Sequence, residues 1–136
     1  MVFKSSFVVD NFASQLLGMQ IFKLPWSDSY STLDFISLEN RKYPFILWRF
    51  SSTPYDKEIM TVILPAGKKL AEIPKNISFS CPAMSYSLSY QVKPDRVIVT
   101  REVKYLTEII PTAEYGTFKE FITKMNESDT KQYGLK

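Results

Sequence analysis

The amino-acid sequence predicts an all-β fold, namely an antiparallel β-sandwich that carries one short C-terminal amphipathic helix. Apolar and polar residues alternate with period two in several stretches, whereas helical spacing occurs in one segment near the end. The 136 residues are 45% hydrophobic and 15% aromatic, which is enough for one domain with its own core. We therefore expect residues 1–136 to form a single sandwich domain. Both an immunoglobulin-like sandwich and a partly open barrel fit several short strands of this kind.

The first part of the chain carries strand-length apolar runs separated by loop residues. Residues 16–24 predict a strand, and residues 3–9 are a further strand candidate. Residues 25–29, Pro-Trp-Ser-Asp-Ser, predict a loop because proline and small polar residues favour turns. Residues 33–38 are ambiguous between element types.

A hairpin is predicted in the middle of the chain. Residues 45–52 and 57–64 are strand-like and flank Thr-Pro-Tyr-Asp at residues 53–56. Pro-Ala-Gly-Lys at residues 65–68 ends the second of these strands.

The clearest alternation predicts a second hairpin over residues 84–106. Apolar residues alternate with serines and a glutamine along residues 84–92, which is typical of a half-buried antiparallel strand. Lys-Pro-Asp-Arg at residues 93–96 then supplies a turn. Val97, Val99 and Val103 resume the alternation after it.

One segment changes to helical spacing and predicts a short amphipathic helix over residues 112–127. Thr112 follows a proline and is expected to serve as the N-cap, with Glu114 in the first turn. Apolar residues recur at helical intervals at Tyr115, Phe118, Ile122 and Met125. Residues 126–129 are expected to end the helix, which leaves residues 132–136 as a last strand or a frayed tail.

Composition and charge argue against several classes of partner. The net charge is +3, and basic residues are interspersed with acidic ones, so we expect no nucleic-acid binding. No stretch approaches the roughly 18 apolar residues of a membrane span, and the first residues of the chain show no signal-peptide pattern. One cysteine without any histidine cannot furnish the usual zinc ligands, and the carboxylates are dispersed. We expect neither metal nor other cofactor.

The absence of histidine also argues against catalysis by this chain. Histidine is the usual general base at neutral pH, and both Ser-His and Cys-His nucleophile pairs require it. Cys81 lies between apolar segments, and a free cysteine usually behaves there as a small buried hydrophobe. We therefore predict no catalytic residue and no enzymatic activity in the chain.

Aromatic residues are the remaining candidates for ligand or interdomain contact, namely Trp26, Trp48 and Tyr55. Trp26 lies in the predicted loop, where its ring must either fold back or find a ligand. Trp48, between Leu47 and Arg49, is expected in the core or at an interdomain contact. Tyr86 and Tyr90 share the apolar face of their strand, so we expect both to be buried.

Short motifs resemble those of a bacterial family. They are Arg-Lys-Tyr-Pro-Phe at residues 41–45, Ile-Leu-Pro-Ala-Gly at 63–67, Ile-Val-Thr-Arg at 98–101 and a segment over 109–122 that contains Ile-Ile-Pro and Glu-Tyr. Over about residues 16–136 the chain resembles the C-terminal β-domain of transglutaminase-like proteins of the papain-type cysteine peptidase superfamily.

The resemblance implies a role, a partner and a compartment. In that family the catalytic Cys, His and Asp belong to a central domain, and no position here matches them. The chain would then be part of a longer protein in the periplasm or at the cell surface. It would act as a non-catalytic accessory domain that packs against the transglutaminase-like domain of the same parent chain. The alternative is a carbohydrate- or peptide-binding module of the cell envelope, in which loop aromatics such as Trp26 and Tyr55 form a platform.

Overall fold

Nine strands and one α-helix make up the computed structural model, which describes residues 2–27, 36, 38–47 and 54–136. The strands are β1 (Ser14–Leu16), β2 (Met19–Lys23), β3 (Phe45–Ile46), β4 (Tyr55–Ile63), β5 (Ile77–Ser80), β6 (Met84–Val92), β7 (Arg96–Tyr105), β8 (Ile109–Ile110) and β9 (Gln132–Leu135). A 3-10 turn, Thr112–Glu114, leads into the helix α1 (Tyr115–Asp129). The fold is all-β and sandwich-like with one C-terminal helix, as predicted.

Every strand pair in the described chain is antiparallel. The largest sheet has four strands in the order β4-β7-β6-β5. A second sheet has the order β1-β2-β9, and β3 pairs with β8. Among the described residues, β4 and β5 are therefore the two edges of the four-stranded sheet.

The β6–β7 hairpin is the centre of this sheet and confirms the strongest prediction from the sequence. Its register runs from Met84 opposite Tyr105 to Val92 opposite Val97, and Lys93 N donates to Arg96 O across the turn at 2.8 Å. Every second residue of each strand, counted from Met84 in β6 and from Val97 in β7, lies on the same face of the sheet. We call this the inner face. Its buried members include Met84, Tyr86, Leu88, Val97, Val99, Arg101 and Val103.

The described residues of the hairpin predicted from residues 45–52 and 57–64 pair with other strands and not with each other. β4 forms as a strand, but it pairs with β7 over its whole length, from Tyr55 opposite Lys104 to Ile63 opposite Arg96. β3 pairs with β8 instead. Residues 48–53 lie outside the described residues. β7 has a row of apolar residues on its inner face, and Met60 and Val62 of β4 extend that row. A turn signal between neighbouring segments cannot reveal this pairing, because it depends on burying the inner faces of two distant strands together.

The first predicted strand, residues 16–24, is divided by a tight turn into β1 and β2. Leu17 and Gly18 both adopt positive φ, at 50° and 82°, as the two-residue type I′ turn requires. β9 adds to the other side of β2, so the C-terminal segment is a strand. Residues 3–9 form no strand and are exposed, which corrects that prediction. Two serines interrupt their alternation, and they pair with no strand of the described chain.

The helix begins and ends differently from the prediction. Thr112 is not the N-cap, because Pro111 precedes the 3-10 turn and no side chain caps it. The predicted span of residues 112–127 becomes the 3-10 turn followed by α1, which continues through Asp129. The expected apolar face is buried: Tyr115, Phe118, Phe121, Ile122 and Met125.

The core lies between the inner face of the four-stranded sheet, α1 and the sheet that contains β9. Phe79 of β5 meets Phe121 of α1 edge to face, with ring centroids 5.3 Å apart. Tyr133 of β9 stacks on Phe22 at 5.5 Å and contacts Tyr90 at 6.1 Å. The helix thus takes the place that further strands would occupy in a sandwich made of sheets alone. No helix in the described part of the chain has the length and apolarity that crossing a lipid bilayer demands.

Candidate functional site

The structure separates the aromatic residues that the sequence singled out. The Trp26 ring is half-buried against the core, and the Arg101 guanidinium lies 5.5 Å from its centroid. Tyr55 is 45% exposed and lies on the opposite, outer face of the four-stranded sheet, where the Lys104 amine sits 5.6 Å from its ring centroid. Trp48 lies outside the described residues. Trp26 and Tyr55 therefore form no common platform.

The loop of Trp26 is tied down to β4. Both the backbone N–H and the hydroxyl of Ser27 donate to the Glu58 carboxylate, the hydroxyl at 2.9 Å. Glu58 lies directly opposite Arg101 in the β4–β7 ladder. The loop thus holds the indole over the arginine, so this aromatic side chain folds back onto the domain.

Arg101 is the charged residue at the centre of the inner face and is only 1% exposed. It stands in a row with Val97, Val99 and Val103, because β7 directs every second side chain into the core. Its Nε and Nη2 donate to the two Asp129 carboxylate oxygens at 2.9 and 2.7 Å. This two-point geometry is the strong form of an arginine–carboxylate pair.

Asp129 is the last residue of α1, where a negative charge is unfavourable because the helix dipole places its negative end there. The arginine neutralises that charge, and the Tyr86 hydroxyl donates a further hydrogen bond to Asp129 Oδ1 at 2.7 Å. A second carboxylate, Asp56 of β4, lies 3.8 Å from Arg101 Nη1. The cluster therefore fastens the helix end to the centre of the sheet.

Tyrosines surround the ion pair and remain protonated. Burial raises the pKa of the Tyr86 hydroxyl far above its ordinary value, and the nearby Asp129 carboxylate raises it further. Burial also raises the pKa values of Tyr90 and Tyr133, whose hydroxyl oxygens are 2.7 Å apart. Hydroxyls in this state donate hydrogen bonds but do not act as bases at neutral pH.

The groups of the buried cluster are engaged with one another. Both oxygens of Asp129 already accept bonds from Arg101, and the sequence contains no histidine that could act as a base. Cys81 is half-buried just after β5, where its backbone N–H donates to Met84 O at 2.8 Å. Among the described residues, no group of three or more cysteines and carboxylates is close enough to hold a metal ion.

The outer face of the four-stranded sheet is the more open surface. β4 presents Tyr55, Ile59 and Ile63 there, and the isoleucines are 61% and 63% exposed. Ile98 of β7 is half-exposed and lies opposite Thr61, between these two isoleucines. We call Ile59, Thr61, Ile63 and Ile98 the outer-face patch.

A charged pair borders this patch. Lys57 Nζ lies 3.1 Å from Glu102 Oε1 on the same face. The hydrogen bond from Lys57 lowers the pKa of Glu102, and the same bond raises the pKa of Lys57. The three isoleucines of the patch thus have a charged pair along one side, and apolar residues beside polar ones are usual at contact surfaces.

The Arg101–Asp129 pair was missed from the sequence, although a signal for it was present. Val97, Val99 and Val103 continue the apolar alternation in the sequence, and position 101 of the same row holds an arginine. An arginine at a core position demands a buried acidic partner. Its identity, 28 residues away at the end of a helix, depends on the tertiary fold.

Comparisons with known proteins identify a family and a fold. The family model that matches residues 18–135 is described as a domain of unknown function with a solved structure, DUF3858. A crystal structure of a candidate protease from Parabacteroides distasonis is similar with a TM-score of 0.66 and 18% sequence identity. The similarity covers 86% of this chain but only 23% of that chain, and identity this low shows a shared fold alone. None of the curated proteins compared with the chain matches it.

Proposed function

Since this chain belongs to the DUF3858 family and shares its fold with one part of a much longer protein, we propose that it is a non-catalytic accessory domain of a protease-like protein. In this proposal the domain packs against the catalytic-type domain of its parent chain and stabilises or orients it. The P. distasonis chain is about four times as long as the similar region. A protein that contains this fold can therefore have enough residues outside it to form a catalytic-type domain.

The outer-face patch carries the proposal. Ile59 and Ile63 are each more than half exposed, and Ile98 of the neighbouring strand lies opposite Thr61, the residue between them on this face. Exposed apolar residues that are contiguous and bordered by charges mark contact surfaces, whereas isolated ones are common on any protein. The patch is flat because it lies on a sheet, which suits contact with another domain better than it suits a small ligand.

The N-terminal segment supports the same proposal. Val2, Phe3, Phe7 and Val8 are all more than 60% exposed, and they precede the region matched by the family model. Apolar side chains in this number are unfavourable in water unless something covers them. A neighbouring domain that contacts both this segment and the outer-face patch would shield them.

The chemistry of the chain supports a non-catalytic role. A nucleophile needs an adjacent base, and the sequence supplies no histidine to accompany Cys81. The carboxylate with the strongest contacts, Asp129, is bound to Arg101 inside the core. We assign any catalysis to the rest of the parent protein.

The proposal extends to the kind of parent and its compartment. The motifs that resemble transglutaminase-like proteins occupy structural positions here: Gly67 adopts a positive φ of 77°, Pro111 precedes the 3-10 turn and Arg101 forms the buried ion pair. On this resemblance we propose a parent with a transglutaminase-like domain, located in the periplasm or at the cell surface. A glycan platform of Trp26 and Tyr55 is not favoured, because the two rings lie on opposite faces of the sheet.

Hydrogen exchange tests the proposal directly. The 136-residue chain is compared with the same chain extended by the domain that precedes it in the parent. We expect slower exchange in the extended protein at the amides of β4 and residues 2–9. Unchanged exchange in both segments would overturn the proposal.

Variants on one face of the sheet provide the control. Ile59→Asp places a charge in the outer-face patch and is expected to abolish the added protection. Ser89→Asp places the same charge on the same face two strands away, because Ser89 and Ile59 both lie opposite Thr100. We expect it to leave the protection in place. An equal loss in both variants would argue against a contact at the patch.

A further inference from the structure

A groove of about 530 Å³ lies between the sheet edge at β5 and the C-terminal half of α1. The strand contributes Ile77, Ser78 and Phe79, and the helical side contributes Lys124, Glu127 and Lys131. Its volume is within the roughly 300–1,000 Å³ that is usual for ligand sites. None of these residues belongs to the outer-face patch, and β4, which carries most of that patch, is at the other edge of the sheet.

The directions in which the N–H and C=O groups of β5 point show what this sheet edge can bind. Cys81 N donates to Met84 O at 2.8 Å, and hydrogen-bonded pairs alternate along an antiparallel ladder. Phe79 and Ile77 are therefore the residues that exchange bonds with β6, opposite Tyr86 and Leu88. The N–H and C=O groups of Ser78 and Ser80 point outward, away from β6. Both serines are exposed, and no other strand of the described chain pairs with β5 on that side.

The side chains of the groove define the chemistry of an added strand. Ile77 and Phe79 are half-buried and form an apolar floor beside α1. The Lys124 ammonium lies 4.5 Å from the centre of the Phe79 ring, and Lys131 is a second cation at the groove. The single carboxylate among the lining residues, Glu127, leaves the groove positively charged. Acidic groups on a bound segment would complement it.

We propose that the β5–α1 groove binds an acidic extended peptide, which adds to β5 as a fifth strand of the sheet. The outward backbone groups of Ser78 and Ser80 bond to the peptide backbone, as in other cases of strand addition. Alternate side chains of the peptide lie beside Ile77 and Phe79, and its carboxylates pair with Lys124 and Lys131. Pro74 and Pro82 flank β5, so the paired segment is short.

The test measures binding of a fluorescein-labelled eight-residue peptide with threonine at every second position and with valine and glutamate in turn at the positions between. One face of the bound strand then carries both the apolar side chains and the carboxylates, because side chains alternate between faces along a strand. The whole 136-residue chain is titrated into the peptide, and fluorescence anisotropy is recorded. We expect saturable binding, weaker binding of the same peptide with lysines in place of glutamates, and loss of binding when alternate backbone nitrogens are methylated. No binding at millimolar protein, or preference for the lysine peptide, would overturn the proposal.

Two variants of Ser78 separate the contribution of its backbone N–H to binding from that of its side chain. Ser78→Pro removes one outward N–H and spares the ladder to β6, so binding is expected to weaken roughly tenfold. Ser78→Ala keeps the N–H and is expected to bind within about twofold of wild type. Equal binding by Ser78→Pro and wild type would contradict strand addition.

Two charge-reversal variants and a measurement of amide exchange complete the test. Lys131→Glu is expected to weaken binding several-fold, whereas Lys42→Glu should not, because its neighbour Arg41 lies over Tyr115 at the other end of α1. Amide exchange in the wild-type chain needs no variant: the Ser78 and Ser80 amides should slow when peptide is added. Unchanged exchange at these two amides under saturation would overturn the proposal even if the peptide bound elsewhere.

Discussion

Arg101 has almost no exposed surface, so its burial demands compensation. Removing a guanidinium from water costs several kcal/mol, which its partners must offset. The Asp129 carboxylate accepts two hydrogen bonds from Arg101 at 2.7–2.9 Å and a third from the Tyr86 hydroxyl. A buried pair of this kind is weak evidence for net stability, but removing Asp129 takes away the two-point bond and leaves the Arg101 charge buried, with Asp56 3.8 Å from its Nη1.

Removal of one partner is therefore expected to be costly. We predict that Asp129→Ala lowers the free energy of unfolding by about 3–5 kcal/mol, because the arginine charge stays buried. The double variant Arg101→Met with Asp129→Ala should recover much of the loss. Urea denaturation at neutral pH measures both. Asp95→Ala, which breaks the exposed Arg96–Asp95 pair, is the control and should change the midpoint little. A double variant no more stable than Asp129→Ala would refute the argument.

Tyr86 predicts a dependence of stability on alkaline pH. Its folded-state pKa is raised, first by burial and then by Asp129, so the folded protein holds the proton more tightly than the unfolded chain does. This stabilisation is complete below about pH 10, the ordinary tyrosine pKa, and is lost as the pH rises beyond it. Each such group contributes a slope of about 1.4 kcal/mol per pH unit.

We expect Tyr86→Phe to be less stable than wild type at pH 7, because Asp129 loses a hydrogen bond, yet to lose stability less steeply above pH 10. Urea unfolding between pH 7 and pH 11 measures both slopes. Tyr43→Phe changes a tyrosine that is 77% exposed and serves as the control. Identical slopes for wild type and Tyr86→Phe would contradict the prediction.

At the scale of elements, the sequence predicts features that depend on neighbouring residues and fails for pairings between residues far apart in the chain. The β6–β7 hairpin and α1 were predicted because alternation, turn residues and helical spacing are all local signals. The partners of β3 and β4 were not, because they lie far along the chain in β8 and β7. The N-cap at Thr112 failed because Pro111 and the 3-10 turn begin the helix without a side-chain cap.

The β1–β2 turn contains a residue poorly suited to its conformation. Leu17 adopts φ 50° and is 93% exposed, so it gains no burial in return for the strain. We predict that Leu17→Asn raises the free energy of unfolding by about 0.5–1 kcal/mol, since asparagine tolerates this region. Gly18→Ala should lower it by about 1 kcal/mol, because alanine is strained at φ 82°.

Chemical denaturation of the two turn variants checks this prediction. A Cβ at Gly18 meets nothing within 4 Å, so any cost of Gly18→Ala arises from the backbone and not from a clash. Destabilisation by Leu17→Asn would show that the leucine side chain has a role that its exposure does not suggest.

At the scale of the whole molecule, the outer-face patch predicts how the isolated chain behaves in solution. An isolated chain with Ile59 and Ile63 exposed should self-associate weakly at high concentration. We predict that Ile59→Lys combined with Ile63→Lys reduces this association and changes stability by less than about 1 kcal/mol, since both side chains are already exposed.

Sedimentation at increasing concentration measures the association, and thermal unfolding measures the stability. Ser89→Lys adds a lysine to the same face without removing an apolar side chain. If Ser89→Lys reduces association as much as the isoleucine variant does, net charge is responsible and the apolar patch is not.

The sequence alone determined the fold class, the central hairpin and the buried face of the helix, because hydrophobic periodicity and turn chemistry act over neighbouring residues. Only the tertiary structure decided how the sheets are ordered, which acid neutralises Arg101, and that Trp26 and Tyr55 lie on opposite faces. It also placed the edge of β5 beside α1. These features depend on contacts between residues far apart in the chain, and such contacts form wherever apolar faces and buried charges find partners in three dimensions.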